Sequence, residues 1–404
     1  MTLAADLRAR FGGLGNPFWA LQFGLFLNRA GQFVQPLLTF WLTTQHGLSV
    51  TQAGGVVATY GLGSMLGTAL GGVLADRFGR RTTLLGSSVG AALSLVALSA
   101  APTVPAVVLG AFVLALVYDL HRPAVHAMVA DLVPADDRIR AYALTYVTVN
   151  LGFAVAPALA GFIAGHSYSV VFLAAAAVQV AWGAFVYWWL PETLPPLPAG
   201  ASPGSLRDVL RDRVYVWWLS AMALAWLVPH QGYVALSAWM QGEGHSPATF
   251  GLVIAVNGLL IVCAQPWLAP VVARFDPPRV FAAACLLQGV GFSMHGLGIG
   301  VPGHVAAVTV WTLGEMLSAP VMSAVVATLA PTHLRGRYQG LLAMSFASAS
   351  VVAPLLGGAV LDRFGGWLWL GCLGVGMLSA AGMLALGPAL RERLRSAVSS
   401  PSQP

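Results

Sequence analysis

Asp119 and Arg122, three residues apart in the apolar stretch VYDLHRPAVH, are an acid and a base placed where they can hold and release a proton. On a helix, residues three and four apart share a face, so Asp119, Arg122 and His126 fall together. A carboxylate buried beside a guanidinium stays ionised while the pair is intact and takes up a proton when the arginine swings away, so its titration follows conformation. The same spacing has a plain structural use, an intrahelical ion pair that lets a charged helix enter hydrocarbon. Three more ionisable groups sit in apolar runs: Arg29 in FLNRAGQF, Glu315 in TLGEMLSAP and His230. An unpaired charge at the centre of a bilayer costs about 2.5–3.5 kcal/mol on insertion scales, which marks each as a candidate for proton coupling or substrate binding. Glu315 has a role in helix packing as its alternative. His121, His126, His230 and His295 can relay protons or can simply be hydrogen-bonded packing residues.

The elements that carry these residues follow from composition. Of 404 residues, 57% are hydrophobic and 8% charged, and the mean hydropathy is +0.77. These values belong to a membrane protein. Twelve apolar stretches have the roughly twenty residues that a helix needs to cross about 30 Å of hydrocarbon. They lie near 17–42, 51–74, 83–101, 104–130, 140–165, 169–190, 214–240, 247–272, 280–300, 303–330, 337–361 and 366–388. The opening MTLAADLRARFGG carries charges where a signal peptide has its apolar core, so the first span is expected to be a retained helix. Cys263, Cys285 and Cys372 fall inside spans and suggest neither a disulfide framework nor a metal site. No phosphate-binding loop, Ser-His-Asp spacing, zinc-ligand cluster or pair of catalytic carboxylates occurs, so no cofactor and no enzyme activity are expected.

Every basic residue is an arginine, and the arginines alternate between loops. Arg8 and Arg10, then Arg77, Arg80 and Arg81, then Arg138 and Arg140, then Arg207, Arg211 and Arg213 mark one side of the membrane in the first half. Arg274, Arg279, Arg335, Arg337, Arg391, Arg393 and Arg395 continue the series, while the opposite loops hold Arg363. The positive-inside rule then puts both termini in the cytoplasm. This asymmetry accounts for the net charge of +6 and leaves no argument for a nucleic-acid partner. The absence of lysine, with high alanine, glycine and arginine content, fits a GC-rich bacterium. Trp188, Trp189, Trp217 and Trp218, at span ends, read as interfacial anchors.

The widest break in hydrophobicity is residues 191–213, expected to be a cytoplasmic central loop between an N-terminal six-helix bundle, 1–190, and a C-terminal bundle with a short tail, 214–404. At an offset of 197 residues the halves match. ADLVPADDRIRAYAL at 130–144 lies over ATLAPTHLRGRYQGL at 327–341, and Ser49, Gly54, Gly61, Arg77 and Phe78 lie over Ser246, Gly251, Gly258, Arg274 and Phe275. Ala156-Pro157 and Gly161 lie over Ala353-Pro354 and Gly358. A duplicated bundle is a recurrent design for alternating access.

The stretch GGVLADRFGRR at 71–81 resembles the signature loop between the second and third helices of the major facilitator superfamily, through Gly72, Leu74, Asp76, Arg77, Gly79, Arg80 and Arg81. The resemblance implies an all-α membrane fold of twelve helices in two pseudo-symmetric bundles, with this loop as a gating latch. Physically, Gly72 suits close helix approach, Gly79 a tight turn, and Asp76 a helix N-terminus or a cationic partner. The second copy has Ala273 where Asp76 stands, so the latch is expected to be asymmetric. The small residues around Pro157, with Gly152 and Gly161, and their counterparts Pro354 and Gly358, resemble the glycine-proline motif of antiporters, although Ala156 and Ala160 replace glycines. Their other reading is helix packing through small residues with a proline kink. Arg122 matches the fourth-helix arginine of proton-coupled members, with Pro123 in place of the expected glycine-rich context. Gln32, Gln35, Tyr146, Asn150, Trp226, Gln231, Tyr233 and Trp311 lie on spans that face the cavity in such bundles.

The combined expectation is a secondary transporter resembling the twelve-helix drug:proton antiporter branch. It would export a small organic molecule across the bacterial inner membrane in exchange for protons, as a monomer. A nutrient-importing uniporter or symporter is the alternative, and a non-transporting sensor or enzyme a remote one.

Overall fold

A computed structural model describes residues 13–134, 137–194, 206–272, 274–330 and 334–399. Arg8, Arg10, Ala273, Pro331 and much of the central loop, residues 195–205, lie outside the described residues. All regular structure among the described residues is helical. In chain order it comprises α1 Asn16–Ala30, α2 Val34–Gln45, α3 Val50–Phe78, α4 Arg80–Ser99, α5 Val104–Asp119, α6 His121–Leu132, α7 Arg138–Ala164 and α8 Tyr168–Trp189. The second half continues with α9 Leu206–Arg211, α10 Arg213–Trp226, a 3₁₀ turn at Pro229–Gly232, α11 Ala235–Gly242, α12 Pro247–Val272 and α13 Pro277–Met294. A 3₁₀ turn at His295–Leu297, then α14 Gly300–Leu329, α15 Arg335–Phe364 and α16 Trp367–Ser399 complete it.

Ten of these spans, α5 and α6 counting as one from Val104 to Leu132, are long and apolar enough to cross a membrane. The first and seventh expected spans, 17–42 and 214–240, are not continuous helices. α1 stops at Ala30 and α2 begins at Val34, while α10 stops at Trp226 and α11 begins at Ala235. Prolines account for both breaks. Pro36 has no N–H for the carbonyl of Gln32 and its ring would crowd it, and Pro229 does the same to Ala225. A milder discontinuity separates α5 from α6 at Leu120, because Pro123 cannot donate to the carbonyl of Asp119.

The chain forms two compact units. The first comprises residues 1–41, 59–197 and 244–259, and the second 42–58, 198–243 and 260–404. In the first unit, Phe18, Leu21 and Leu25 of α1 pack with Ala124, Val125, Met128 and Val129 of α6 and Trp182 and Val186 of α8. In the second, Tyr215, Trp218 and Met222 of α10 pack with Phe281 of α13 and Val321, Val325 and Val326 of α14. Trp218 is therefore a core residue, edge-on to Phe281 at 5.7 Å, and not the interfacial anchor its place at a span end suggests. Trp188, Trp189 and Trp217 are exposed.

Helix contact runs through glycine faces. Gly63, Gly67 and Gly71 of α3 lie four residues apart, and a Cβ at each would collide with the carbonyls of Phe112, Leu116 and Leu120. This small-xxx-small stripe lets the two backbones touch. Gly72 is not part of it: a Cβ there would meet the Pro123 side chain at an ordinary 3.9 Å, so the close approach expected of Gly72 is supplied by its neighbours. The sequence repeat returns as repeated contacts. In the second unit, Gly54 abuts the carbonyl of Pro354 and Gly358 that of Val50; in the first, Gly251 abuts that of Pro157 and Gly161 that of Pro247.

Candidate functional site

The ionisable residues of the first half converge in the first unit. At the α5–α6 joint, Arg122 Nε donates to Asp119 Oδ1 at 2.7 Å, and the hydroxyl of Ser64 on α3 donates to Asp119 Oδ2. Asp119 is buried, whereas the Arg122 side chain is 34% exposed, so the carboxylate is fixed and the guanidinium has room to leave it. The carbonyl of Tyr118, one residue before, accepts from His121 Nδ1 at 2.6 Å and from Ser87 Oγ at 2.9 Å. His126 is exposed and its ring lies 5.8 Å from that of Tyr142, outside this pair.

The end of α1 adds a second layer. Asn28 Nδ2 donates to Gln179 Oε1 at 3.3 Å, and Tyr118 Oη donates to Asn28 Oδ1 at 3.0 Å. Arg29, in the last turn of α1, donates through Nη1 to Gln32 Oε1 at 2.9 Å, and Gln32 Nε2 donates to Gln35 Oε1 at 2.8 Å. Arg29 lies within electrostatic reach of Asp119, Arg122, Tyr118 and Tyr60. Gln32, Gln35, Phe33, Tyr60, Tyr118 and Gln179 line an open pocket at the α1–α2 break. The break thus exposes backbone and polar side chains where an unbroken helix would present a packed turn.

The other candidates are elsewhere. In the second unit, His230 is buried and donates through Nδ1 to the carbonyl of Trp226 at 2.8 Å, with the Phe346 ring 4.8 Å away. Gln231 Nε2 donates to the carbonyls of Leu227 and Ala353, Tyr233 lies 6.1 Å from His230, and Trp226 lies 5.1 Å from Phe346. Trp311 is buried against Phe292 at 5.3 Å, and Glu315 is half-buried on α14. His295 Nδ1 shares a hydrogen bond of 2.8 Å with His304 Nδ1, whose Nε2 lies 2.7 Å from Glu243. Asn150 donates to the carbonyl of Tyr146 at 2.9 Å within α7, and a Cβ at Gly152 would strike Arg29, so α7 passes α1 at the arginine.

The 76–81 loop is an ion-pair cluster within the first unit. Arg80, buried, donates through Nε to Asp131 at 2.9 Å and through Nη1 to Asp76 at 3.2 Å and to the carbonyl of Ala75 at 3.0 Å. Asp76 has 73% of its side chain exposed. Gly79 takes φ +103°, the turn that its glycine suits. The N-terminus of α4 is capped by Glu192, whose carboxylate accepts from the amides of Arg80 at 2.8 Å and Arg81 at 3.1 Å. Arg81 donates to the carbonyl of Tyr187 and lies over its ring at 5.2 Å, and Arg77 lies over Phe78 at 5.3 Å. Glu192 and Asp131 were not singled out by sequence, although the PET tripeptide at 191–193 breaks the hydrophobic run at a position from which a carboxylate can reach back. In the second unit Asp276 pairs with Arg279 and Arg391 at 3.7 and 3.8 Å, and Asp212 with Arg393 at 2.8 Å.

A duplicated helical chain, with a polar cluster at a helix break and an ion-paired loop between α3 and α4, matches a known family. The Major Facilitator Superfamily model fits residues 19–242 and again 230–403. The chain belongs to this superfamily. Among relatives, it is 29% identical over 355 residues to an uncharacterized MFS-type transporter, YttB, of Bacillus subtilis, covering 85% of this chain and 88% of that one. It is 26% identical to the class C tetracycline resistance protein of Escherichia coli, covering 86% and 89%. A crystal structure of a POT family transporter in complex with 5-aminolevulinic acid superposes with a TM-score of 0.81 over 94% of this chain and 97% of that one, at 17% identity. The superfamily member is thus a multi-pass membrane transporter of small molecules and not an enzyme, and its relatives include the drug-resistance branch.

Proposed function

We propose that this superfamily member is a proton-coupled secondary transporter that works by alternating access, with Asp119 as the proton carrier. The observation that carries the reading is the Asp119–Arg122 pair. A buried carboxylate, held at 2.7 Å by an arginine that is one-third exposed, can be protonated once that arginine moves to solvent or substrate. The kinship to a tetracycline resistance protein supports export of a small organic molecule, and that to a Na(+), Li(+), K(+)/H(+) antiporter of Planococcus maritimus, 25% identical over 366 residues, supports exchange for protons. The alternating arginines support cytoplasmic termini, and the bacterial relatives support an inner-membrane location. In this reading the 76–81 cluster is the gate of the first half, and Glu315 and His230 are secondary candidates for substrate or proton.

One observation favours a second reading, co-transport of proton and substrate. Asp119 is held by Arg122 and lies within electrostatic reach of Arg29, and an anion bound beside Arg29 would reinforce protonation of Asp119. The two readings separate in proteoliposomes. Asp119→Asn should abolish pH-driven flux while leaving counterflow of substrate at a measurable fraction of the parent rate, because exchange needs the pocket and not the titration. Glu315→Gln serves as the comparison. Full pH-driven flux in both variants would remove the named carriers, and the direction of proton movement during substrate flux distinguishes exchange from co-transport.

A further inference from the structure

Arg29 is charged beyond its surroundings. The carboxylate within its electrostatic reach, Asp119, is already committed to Arg122 and to Ser64, and no carboxylate among the described residues comes within 4.0 Å of Arg29. Asp131, the next acid along that span, is twelve residues away, about 18 Å of helix, and is engaged by Arg80 and Thr193. Two guanidinium groups and one carboxylate leave the cluster with an excess positive charge. The last turn of α1 offsets part of it, since a helix C-terminus carries about half a negative charge. The rest has no partner here.

The geometry of the guanidinium sharpens this. Nη1 is tied to Gln32, whereas Nε is buried with no hydrogen-bond partner, and Nη2 takes none among the described residues. The unoccupied edge is therefore Nε with Nη2, the side-on fork that accepts a carboxylate through two parallel hydrogen bonds. Gln32, the neighbour that holds the other edge, lines the open pocket with Gln35, Tyr60 and Tyr118. The Gln35 amide and the Tyr60 hydroxyl can donate to the remaining lone pairs of an anion, and Phe33 and Leu114 offer apolar surface to the body of the ligand.

We infer that the transported substrate is an organic anion whose carboxylate docks on the Nε/Nη2 edge of Arg29 at the α1–α2 break. The inference rests on the co-transport reading of this cluster, and it names the substrate class. Protonation of Asp119 increases the local positive charge, so proton and anion bind cooperatively, as co-transport requires, and anion affinity rises as pH falls; protonation of His121, the buried imidazole beside Asp119, would act in the same direction.

The test uses the full-length protein in lipid nanodiscs, with benzoate, salicylate and succinate as probes and benzamide, salicylamide and succinamide as neutral partners of matched shape. At least one acid should raise the thermal unfolding midpoint and bind by calorimetry, its amide should not, and Arg29→Gln should weaken the acid tenfold or more. Arg29→Lys keeps the charge but not the fork, so it guards against a misfolded glutamine variant; a several-fold loss is expected there. Equal binding of acids and amides, or unchanged acid affinity in either variant, overturns the inference. Acid binding that is lost in the Arg29 variants while Asp119→Asn keeps full pH-driven flux would sustain the anion site and sink the proton-carrier reading. Loss of flux in Asp119→Asn with no acid binding to the parent protein would do the reverse.

Discussion

Glu192 does at one residue what the loop signature does not reveal. It occupies the N-terminus of α4, accepting amide hydrogens from Arg80 and Arg81, while Gly79 holds φ +103° so that the chain can turn beneath it. A Cβ at Gly79 would both collide with that carboxylate and force a left-side backbone angle that only glycine tolerates cheaply. Gly79→Ala is therefore expected to destabilise the first unit by about 2 kcal/mol or more, and Glu192→Ala by about 1 kcal/mol, the usual worth of a cap. Both would show as lowered thermal unfolding midpoints in detergent, with Gly79→Ala the larger. An equal or smaller effect of Gly79→Ala would mean that the turn is not under this constraint. The Asp119–Arg122 pair was legible in the sequence because its two members share one helix face. Ser64, Glu192 and Asp131 were not, because their partners lie 55, 112 and 51 residues away and pairing across helices leaves no local spacing to read.

At the scale of elements, hydropathy located the spans but not their interruptions. A window of twenty residues averages over Gly31–Phe33 and over Leu227–Val234, where the chain leaves the α-helix and the few polar residues, Gln32, His230 and Gln231, are outweighed by apolar neighbours. Pro36 and Pro229 were the available signals, each four residues beyond a carbonyl that it cannot satisfy. The glycines carried similar hidden meaning. GLGSMLGTALGG reads as generic small-residue packing, yet Gly63, Gly67 and Gly71 abut the carbonyls of Phe112, Leu116 and Leu120 while Gly72 does not, because period four selects one face. Gly67→Val should force α3 from the carbonyl of Leu116 and cost about 1–3 kcal/mol, the typical price of overpacking. Gly86→Val on α4, where a Cβ meets nothing within 4 Å, should stay within about 0.5 kcal/mol. Similar midpoints for the two variants in thermal unfolding would show that the stripe is not a tight contact.

For the whole molecule, the repeat at an offset of 197 residues survives as contact geometry. Gly54 against Pro354 and Gly251 against Pro157 are the same contact in the two copies, as are Gly358 against Val50 and Gly161 against Pro247. Each sits inside one compact unit, and each unit includes a short piece from the other half of the sequence, 42–58 in the second and 244–259 in the first. The first of these pieces is fastened further by Thr51, whose amide and hydroxyl donate to Asp362 at 2.7 and 2.6 Å. Glycine facing a carbonyl makes such a contact close but shallow, with no side chain to interlock, which suits a joint that must open and reclose. Alternating access requires that both joints part in some step of the cycle. A Cβ at 358 would lie 2.7 Å from the carbonyl oxygen of Val50, and one at 161 would lie closer still to that of Pro247, so a side chain at either position wedges its joint open. Gly358→Ala and Gly161→Ala should therefore each lower flux in proteoliposomes several-fold at matched protein levels, because the state in which that joint is closed becomes harder to reach. Gly340→Ala, where a Cβ meets nothing within 4 Å, should leave flux unchanged. Undiminished flux in both wedged variants would mean that the cycle does not depend on closing these joints, and the pseudo-symmetric contacts would then be scaffold and not gate.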